Sequence, residues 1–409
     1  MNTFIPANIL LPNVSSMEKW AVIACDQFVS QPEYWAQVRE LVADAPSALH
    51  LILPEADLGD HNDQRIAAIN SAMQSYLDNG IFTCYENAFV YVERTLLNGT
   101  IRRGVIGAVD LEQYDYSPDS SSAVRATEKT VVERIPPRMD IRRDAPIELP
   151  HVLLLCDDEK RQLLESVADR KDTLPLLYDF DLMQGGGRIK GWLVQGENAD
   201  VFCQALADYT ARCQKKFGSA PVLYAVGDGN HSLASAKGCY EELKANNPGM
   251  DLSGHPARYA LVELENIHDE SQVFEPIHRI ITGTDPDAML QALEANACAE
   301  GGCPVRWFAG DRSGTVYLDA KDGQLPIGVL QAFLDNYLQN NRGETDYIHG
   351  DDTLEQLAKA ENAIGFLLPA MEKGQLFTGI IADGVLPRKT FSMGHAQEKR
   401  YYLEAKKIR

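Results

Sequence analysis

Val222-Leu-Tyr-Ala-Val-Gly-Asp228-Gly229-Asn230-His231-Ser232-Leu-Ala-Ser-Ala236 is the stretch on which the reading of this chain turns. Pro221 to Val226 is a short apolar run bounded by a turn signal and predicts a buried strand; His231 to about Ala245 predicts a helix. Gly227 and Gly229 allow backbone conformations closed to other residues, so the chain can reverse sharply and approach a ligand closely. Asn230 is expected to cap the helix, and the free N–H groups of the first turn point toward the same space. That space suits a phosphate or carboxylate. Asp228, at the strand's end, is a candidate Mg²⁺ ligand or proton acceptor, and His231 and Ser232 are candidate donors to a phosphoryl oxygen. The same residues also fit a plain capped helix with His231 satisfied by a backbone carbonyl, and on residues alone both readings stand.

Outward from this turn, the pattern is α/β, a mixed α+β arrangement of sheets flanked by helices. Trp20 to Cys25 predicts a buried strand ending at Asp26, and Pro32 to Ala43 a helix. Ala88 to Leu97 and Ile101 to Leu111, separated by Asn98-Gly99-Thr100, predict a hairpin, as do Tyr178 to Met183 and Arg188 to Val194 around Gly185-Gly186-Gly187. Further expectations are a strand His151 to Cys156, a helix Asp157 to Arg170, an amphipathic helix Asp200 to Phe217, and strands Arg258 to Glu265 and Val273 to Ile281. At 409 residues the chain exceeds one hydrophobic core, and lobes are expected at 1–120, 121–300 and 301–409.

A second constellation is Arg125-Ala-Thr-Glu128 followed by Arg134, Arg138, Arg142 and Arg143. Ala123 to about Ile135 is expected to be a helix stopped by Pro136-Pro137, which sets Arg125 and Glu128 one turn apart on one face. Arginine's planar fork suits phosphate, although a solvated helix with surface ion pairs fits the same residues. His278, Arg279, Arg388 and Lys389 are further candidate phosphate contacts, set against a strand-end pair and a solvated basic tail.

The net charge of −21 repels polyphosphate backbones and argues against nucleic acid. A small anion remains compatible, since local cations act within a Debye length. No stretch approaches the roughly 20 apolar residues of a membrane span, and no signal peptide is evident, so a cytoplasmic protein is expected. The eight cysteines include no C-x-x-C pair and read as small buried hydrophobes. There is no Gly-x-Ser-x-Gly elbow, no dinucleotide Gly-x-Gly-x-x-Gly after a strand and no His-Glu-x-x-His helix.

Several motifs together carry a resemblance: Lys19-Trp-Ala-Val-Ile-Ala-Cys-Asp-Gln-Phe28, Arg125-Ala-Thr-Glu128, Glu133-Arg-Ile-Pro-Pro-Arg138, the Gly-Asp-Gly-Asn-His turn, Glu275-Pro-Ile-His-Arg279, Pro387-Arg-Lys-Thr390 and Met393-Gly-His395. Over nearly its whole length the chain resembles the family of domain of unknown function 1015, in the branch with Asp-Gly-Asn-His-Ser where other members have Asp-Gly-His-His-Arg. That turn is also similar, over about a dozen residues, to the phosphate-binding box of the ParB and sulfiredoxin superfamily, some of whose members phosphorylate free serine. Here Asn230 replaces the first His of the box, and stands where sulfiredoxins place their cysteine; Ser232 replaces the Arg. The resemblance implies a nucleotide-dependent phosphotransferase acting on a small hydroxylated metabolite such as free serine, using ATP and Mg²⁺. In it Asp228 holds the metal, Gly229 to His231 cradle phosphate, Arg125 and Arg138 clamp it, and Glu128 orients or deprotonates the acceptor. The alternative is a non-enzymatic regulatory protein that binds a nucleotide or phosphometabolite. A homo-oligomer is compatible with either.

Overall fold

The computed structural model describes residues 3–130, 135–298, 302–320 and 324–409. An eleven-stranded mixed sheet is its backbone, in the order Leu176–Asp181, Arg188–Val194, Phe82–Thr95, Ile101–Asp110, Tyr259–Asn266, Leu153–Cys156, Tyr224–Asp228, Val124–Ala126, Tyr114–Asp115. Phe4–Ile5 and Ala7–Pro12 join it alongside the long central strands. The Asn98-Gly99 hairpin is present, with Thr95 opposite Ile101 and Gly99 at φ 83°. Tyr224–Asp228 runs parallel to Val124–Ala126 and antiparallel to Leu153–Cys156.

One face of this sheet packs on helices Glu197–Phe217 and Asn230–Asn246 through Phe202, Leu206, Tyr209, Leu233 and Tyr240. The other is covered by Trp20, Trp35, Val38, Ile69 and Met73 from the N-terminal helices and by Tyr401 to Ile408 from the chain's end. This terminal segment is structural: Tyr401–Tyr402 pairs with Val22–Ile23, Lys406–Lys407 pairs with Ile147–Glu148, and buried Arg400 bonds Glu263 at 2.6 Å.

A five-stranded antiparallel sheet forms the second body, in the order Arg312–Leu318, Cys303–Ala309, Ala363–Leu367, His278–Thr282, Glu344–Ile348. Helices Pro286–Ala295, Pro326–Leu338 and Gln375–Asp383 pack near it, and its core reaches Leu155 and Ala225 of the large sheet and Val222 just before its strand Tyr224–Asp228.

Four local expectations are corrected. The described part of the expected helix, Ala123 to Thr130, is not helical: Val124–Ala126 is a strand, because the edge of Tyr224–Asp228 offers parallel ladder bonds that local propensity cannot match. Residues 131–134, including Arg134, lie outside the described residues. The helix instead begins at Ile135 and runs to Arg143, with Pro136 and Pro137 in its first turn, where a missing N–H costs nothing. Asp157 to Arg170 holds only a short helix, Glu165–Ala168, because the Asp158 carboxylate accepts the N–H groups of Gln162 (2.6 Å) and Leu163 (2.7 Å) and winds the chain into a turn. Val273 to Ile281 splits at Ile277 into Phe274–Pro276, which pairs with Phe391–Met393, and His278–Thr282.

Candidate functional site

The strand Tyr224–Asp228 ends in an irregularity between Val226 and Asp228, the kind of bulge that re-aims a strand end. Gly229 follows at φ 80° and is itself the residue preceding helix Asn230–Asn246, so the expectation that Asn230 caps the helix is corrected. Asn230 has another task. Its Oδ1 accepts the Thr127 N–H and its Nδ2 donates to Thr127 Oγ1, both at 3.3 Å, while the Thr127 hydroxyl donates to Val226 O at 2.7 Å. The turn and the segment carrying Glu128 are thereby held in register.

A cleft of about 310 Å³ opens in front of this turn. Asp228, Gly229, Asn230, His231, Ser232, Glu128, Arg138 and Lys389 line it; Arg125, His278, Arg279 and Arg388 are not among its lining residues. The Arg125 Nε donates to Ser122 O at 3.1 Å, and burial lowers its pKa. His278 is buried, with Nδ1 accepting the Leu368 N–H at 3.1 Å and Nε2 facing Asp351 at 3.0 Å. Buried Arg279 donates to Ile277 O and to Arg388 O, both at 2.7 Å, so it braces the loop that carries Lys389. Burial pulls its pKa down to about 10.

Five titratable cleft residues escaped the sequence reading as site residues, Asp26, Glu55, His151, His349 and Lys399, as did the apolar Ile277, Phe391 and Met393. Asp26 and Lys399 lie in or beside the quoted motifs Lys19 to Phe28 and Met393 to His395, a signal that was available; Glu55, His151 and His349 had none.

The charges are arranged in layers. Lys399 Nζ lies 3.2 Å from Asp228 Oδ2, whose Oδ1 accepts the Gly229 N–H at 3.0 Å. Glu128 Oε1 accepts the Lys389 N–H at 3.3 Å; burial first, then the charge of Asp228, pushes its pKa above the ordinary carboxyl value. Arg138 pairs with Glu55. His151 is buried, its Nδ1 2.7 Å from the Tyr402 hydroxyl and its Nε2 3.3 Å from Ser232 Oγ and 3.9 Å from Asp26. Burial raises the Asp26 carboxyl, but His151, the Gln27 amide and Lys399 outweigh it and hold the pKa below its ordinary value. Tyr402 in turn donates to Cys25 Sγ at 3.1 Å, and burial with the Asp26 charge lifts that thiol to about 11.

Chemically, Ser232, His151 and Asp26 do not form a hydrolytic relay. Serine and carboxylate both face Nε2, whereas a relay needs them on opposite ring nitrogens. The protonated thiol of Cys25 is no nucleophile. What the cleft does offer is a helix N-terminus, three lysine or arginine cations, three histidines and four carboxylates, Asp26, Glu55, Glu128 and Asp228. Hard carboxylate oxygens of this kind suit Mg²⁺ by ligand type. Elsewhere, Asp157, Glu159 and His268 cluster, but Lys216 Nζ already bonds the two carboxylates at 2.8 and 2.9 Å. Among the described residues no helix is long and apolar enough to cross a membrane.

A family model described as a protein of unknown function, DUF1015, matches residues 6–408. No curated protein matches. Among solved structures, a free serine kinase in complex with AMP is similar at 14% identity, TM-score 0.36, covering 75% of this chain and 92% of that one. A conserved hypothetical protein from Pyrococcus furiosus is similar at 12% identity, TM-score 0.35, covering 73% and 93%. SbnI with a C-terminal truncation, from Staphylococcus aureus, is similar at 11% identity, TM-score 0.35, covering 71% and 82%.

Proposed function

The chain belongs to the DUF1015 family, and from that premise we propose that it is a nucleotide-dependent phosphotransferase acting on a hydroxylated small metabolite, of which free serine is the simplest example. One observation carries the reading: the N-terminus of helix Asn230–Asn246 faces a cleft in which Lys389, Lys399 and Arg138 stand opposite four carboxylates. Phosphoryl transfer asks for positioning and charge neutralisation more than for covalent help. The Gly229 to Ser232 backbone would cradle a phosphoryl group, with Lys399 and Arg138 balancing its charge in place of the arginine that Ser232 replaces. Glu128, with its raised pKa, is suited to take the proton as the acceptor oxygen bonds to phosphorus and the bond to the nucleoside diphosphate breaks. Asp228 would hold Mg²⁺, which when bound neutralises phosphate charge.

A second reading, a ligand sensor without turnover, is favoured by one feature. The cleft also takes Ile277, His349 and Phe391 from the segments around the second sheet, so a ligand there would bridge the two bodies. Incubation with ATP, Mg²⁺ and a panel of hydroxylated metabolites separates the two. The phosphotransferase produces ADP and a phosphorylated acceptor, and Asp228→Asn abolishes both. Nucleotide binding without ADP from any acceptor would overturn it in favour of the sensor.

A further inference from the structure

Behind the polar cleft lies a second cavity of about 150 Å³ that the proposed chemistry leaves unused. Much of its wall is apolar and buried, with Met73, Ile147, Leu149, Leu233 and Leu261 among the lining residues. Arg138, His151 and Ser232 line both cavities, so the two share a boundary at the first turn of helix Asn230–Asn246. An apolar cavity of about this volume holds a benzene-sized guest. Apart from the shared boundary, Glu148, Ser235, Tyr402 and Arg142 also reach the lining, and Arg142 is the one with an unmet donor. Arg142 Nη1 pairs with Glu148 Oε2 at 2.5 Å, while its Nη2 is a buried donor with no hydrogen-bond partner among the described residues.

We propose that this cavity is a specificity subsite for the acceptor, taking a benzene-sized group that offers Arg142 a ring face or an acceptor atom, while the hydroxyl or phosphoryl end of the same molecule occupies the polar cleft. Leaving a buried guanidinium donor unpaired is costly, so a guest that supplies an acceptor atom or a ring face to Arg142 gains by filling the place. A purine has acceptor nitrogens too, but its two fused rings exceed the single ring that this volume suits, which favours the acceptor molecule over the nucleotide base. Free serine leaves the cavity empty. The inference rests on the cleft being a phosphate site and adds the size and polarity of what is phosphorylated.

Product-like probes test it directly. Calorimetry of the full-length protein with inorganic phosphate, ethyl phosphate and benzyl phosphate is expected to show benzyl phosphate bound roughly 10- to 100-fold more tightly than ethyl phosphate, the gain from burying an aromatic side chain. The heat capacity change should be correspondingly more negative. Ala236→Leu and Ala145→Leu fill the cavity from two separate segments, and in either variant the benzyl-to-ethyl ratio should fall toward one. If ethyl phosphate binds and the wild-type ratio is already near one, the subsite is overturned while the cleft reading survives. If neither phosphate nor its esters bind, the cleft reading falls and the subsite with it.

Discussion

Gly229→Ala isolates the physics of the turn. An added Cβ there meets Val152 Cα and Cγ2 at 3.1 Å and His151 Cδ2 at 3.5 Å, and the backbone sits at φ 80°. Forcing alanine into the left-handed region costs about 1–2 kcal/mol, less a few tenths or more regained because the unfolded chain is stiffer. The contact with the Val152 backbone adds an overpacking cost of about 1–3 kcal/mol, since Val152 leads directly into the sheet strand Leu153–Cys156 and has little room to shift. The sum is about 2–4 kcal/mol. Gly249 supplies the control: it has φ 85°, and an added Cβ meets nothing within 4 Å, so Gly249→Ala carries the conformational cost alone. Urea unfolding of both variants against the wild type, read as a shift in midpoint at constant slope, measures the difference. Phosphate affinity should fall in the Gly229 variant, because the displaced His151 and turn N–H groups define the cleft. A Gly229→Ala penalty within about 0.5 kcal/mol of that of Gly249→Ala would refute the argument that the turn is packed against the strand behind it.

Lys399→Met removes the cation 3.2 Å from Asp228; phosphate affinity should drop on the order of tenfold or more, measured by calorimetry, and an unchanged affinity would take Lys399 out of the site. Glu128 holds its proton more tightly in the folded protein than in the unfolded chain. Its contribution to stability is therefore fully present below the ordinary carboxyl pKa and is lost as pH rises through the raised value. Glu128→Gln should flatten that part of the urea-midpoint profile and be the more stable protein at neutral pH; a profile parallel to wild type would contradict the burial argument. In the native protein Cys25 should alkylate far more slowly than exposed Cys84 at neutral pH and gain rate as pH climbs toward 11. Peptide mass spectrometry decides it, and early labelling of Cys25 counts against the Tyr402 network.

Local chemistry was legible where neighbours in sequence settle it. Asn98-Gly99 forms its hairpin, the glycine triplet at 185–187 turns a second, and strand, turn and helix follow one another from Tyr224 to Asn246. In each case the required φ values or apolar period lie within a few residues, so backbone sterics alone decide the outcome. Where two partners compete for the same backbone the prediction failed: Val124–Ala126 became a strand because a distant edge offered it hydrogen bonds, and the Pro pair opened a helix instead of closing one.

The sequence by itself determined the class of fold, the family and the turn that anchors the cleft. The tertiary structure decided who stands around it. Asp26, Glu55, Glu128, His151, Asp228, His349, Lys389 and Lys399 span more than 370 positions of chain and meet because the sheet order and the returning C-terminal segment bring strand ends together. Charge complementarity at such distances leaves no periodic trace along the chain, since each residue needs only to sit at the end of an element, and the cavity behind them exists only once helices Ile135–Arg143 and Asn230–Asn246 have packed.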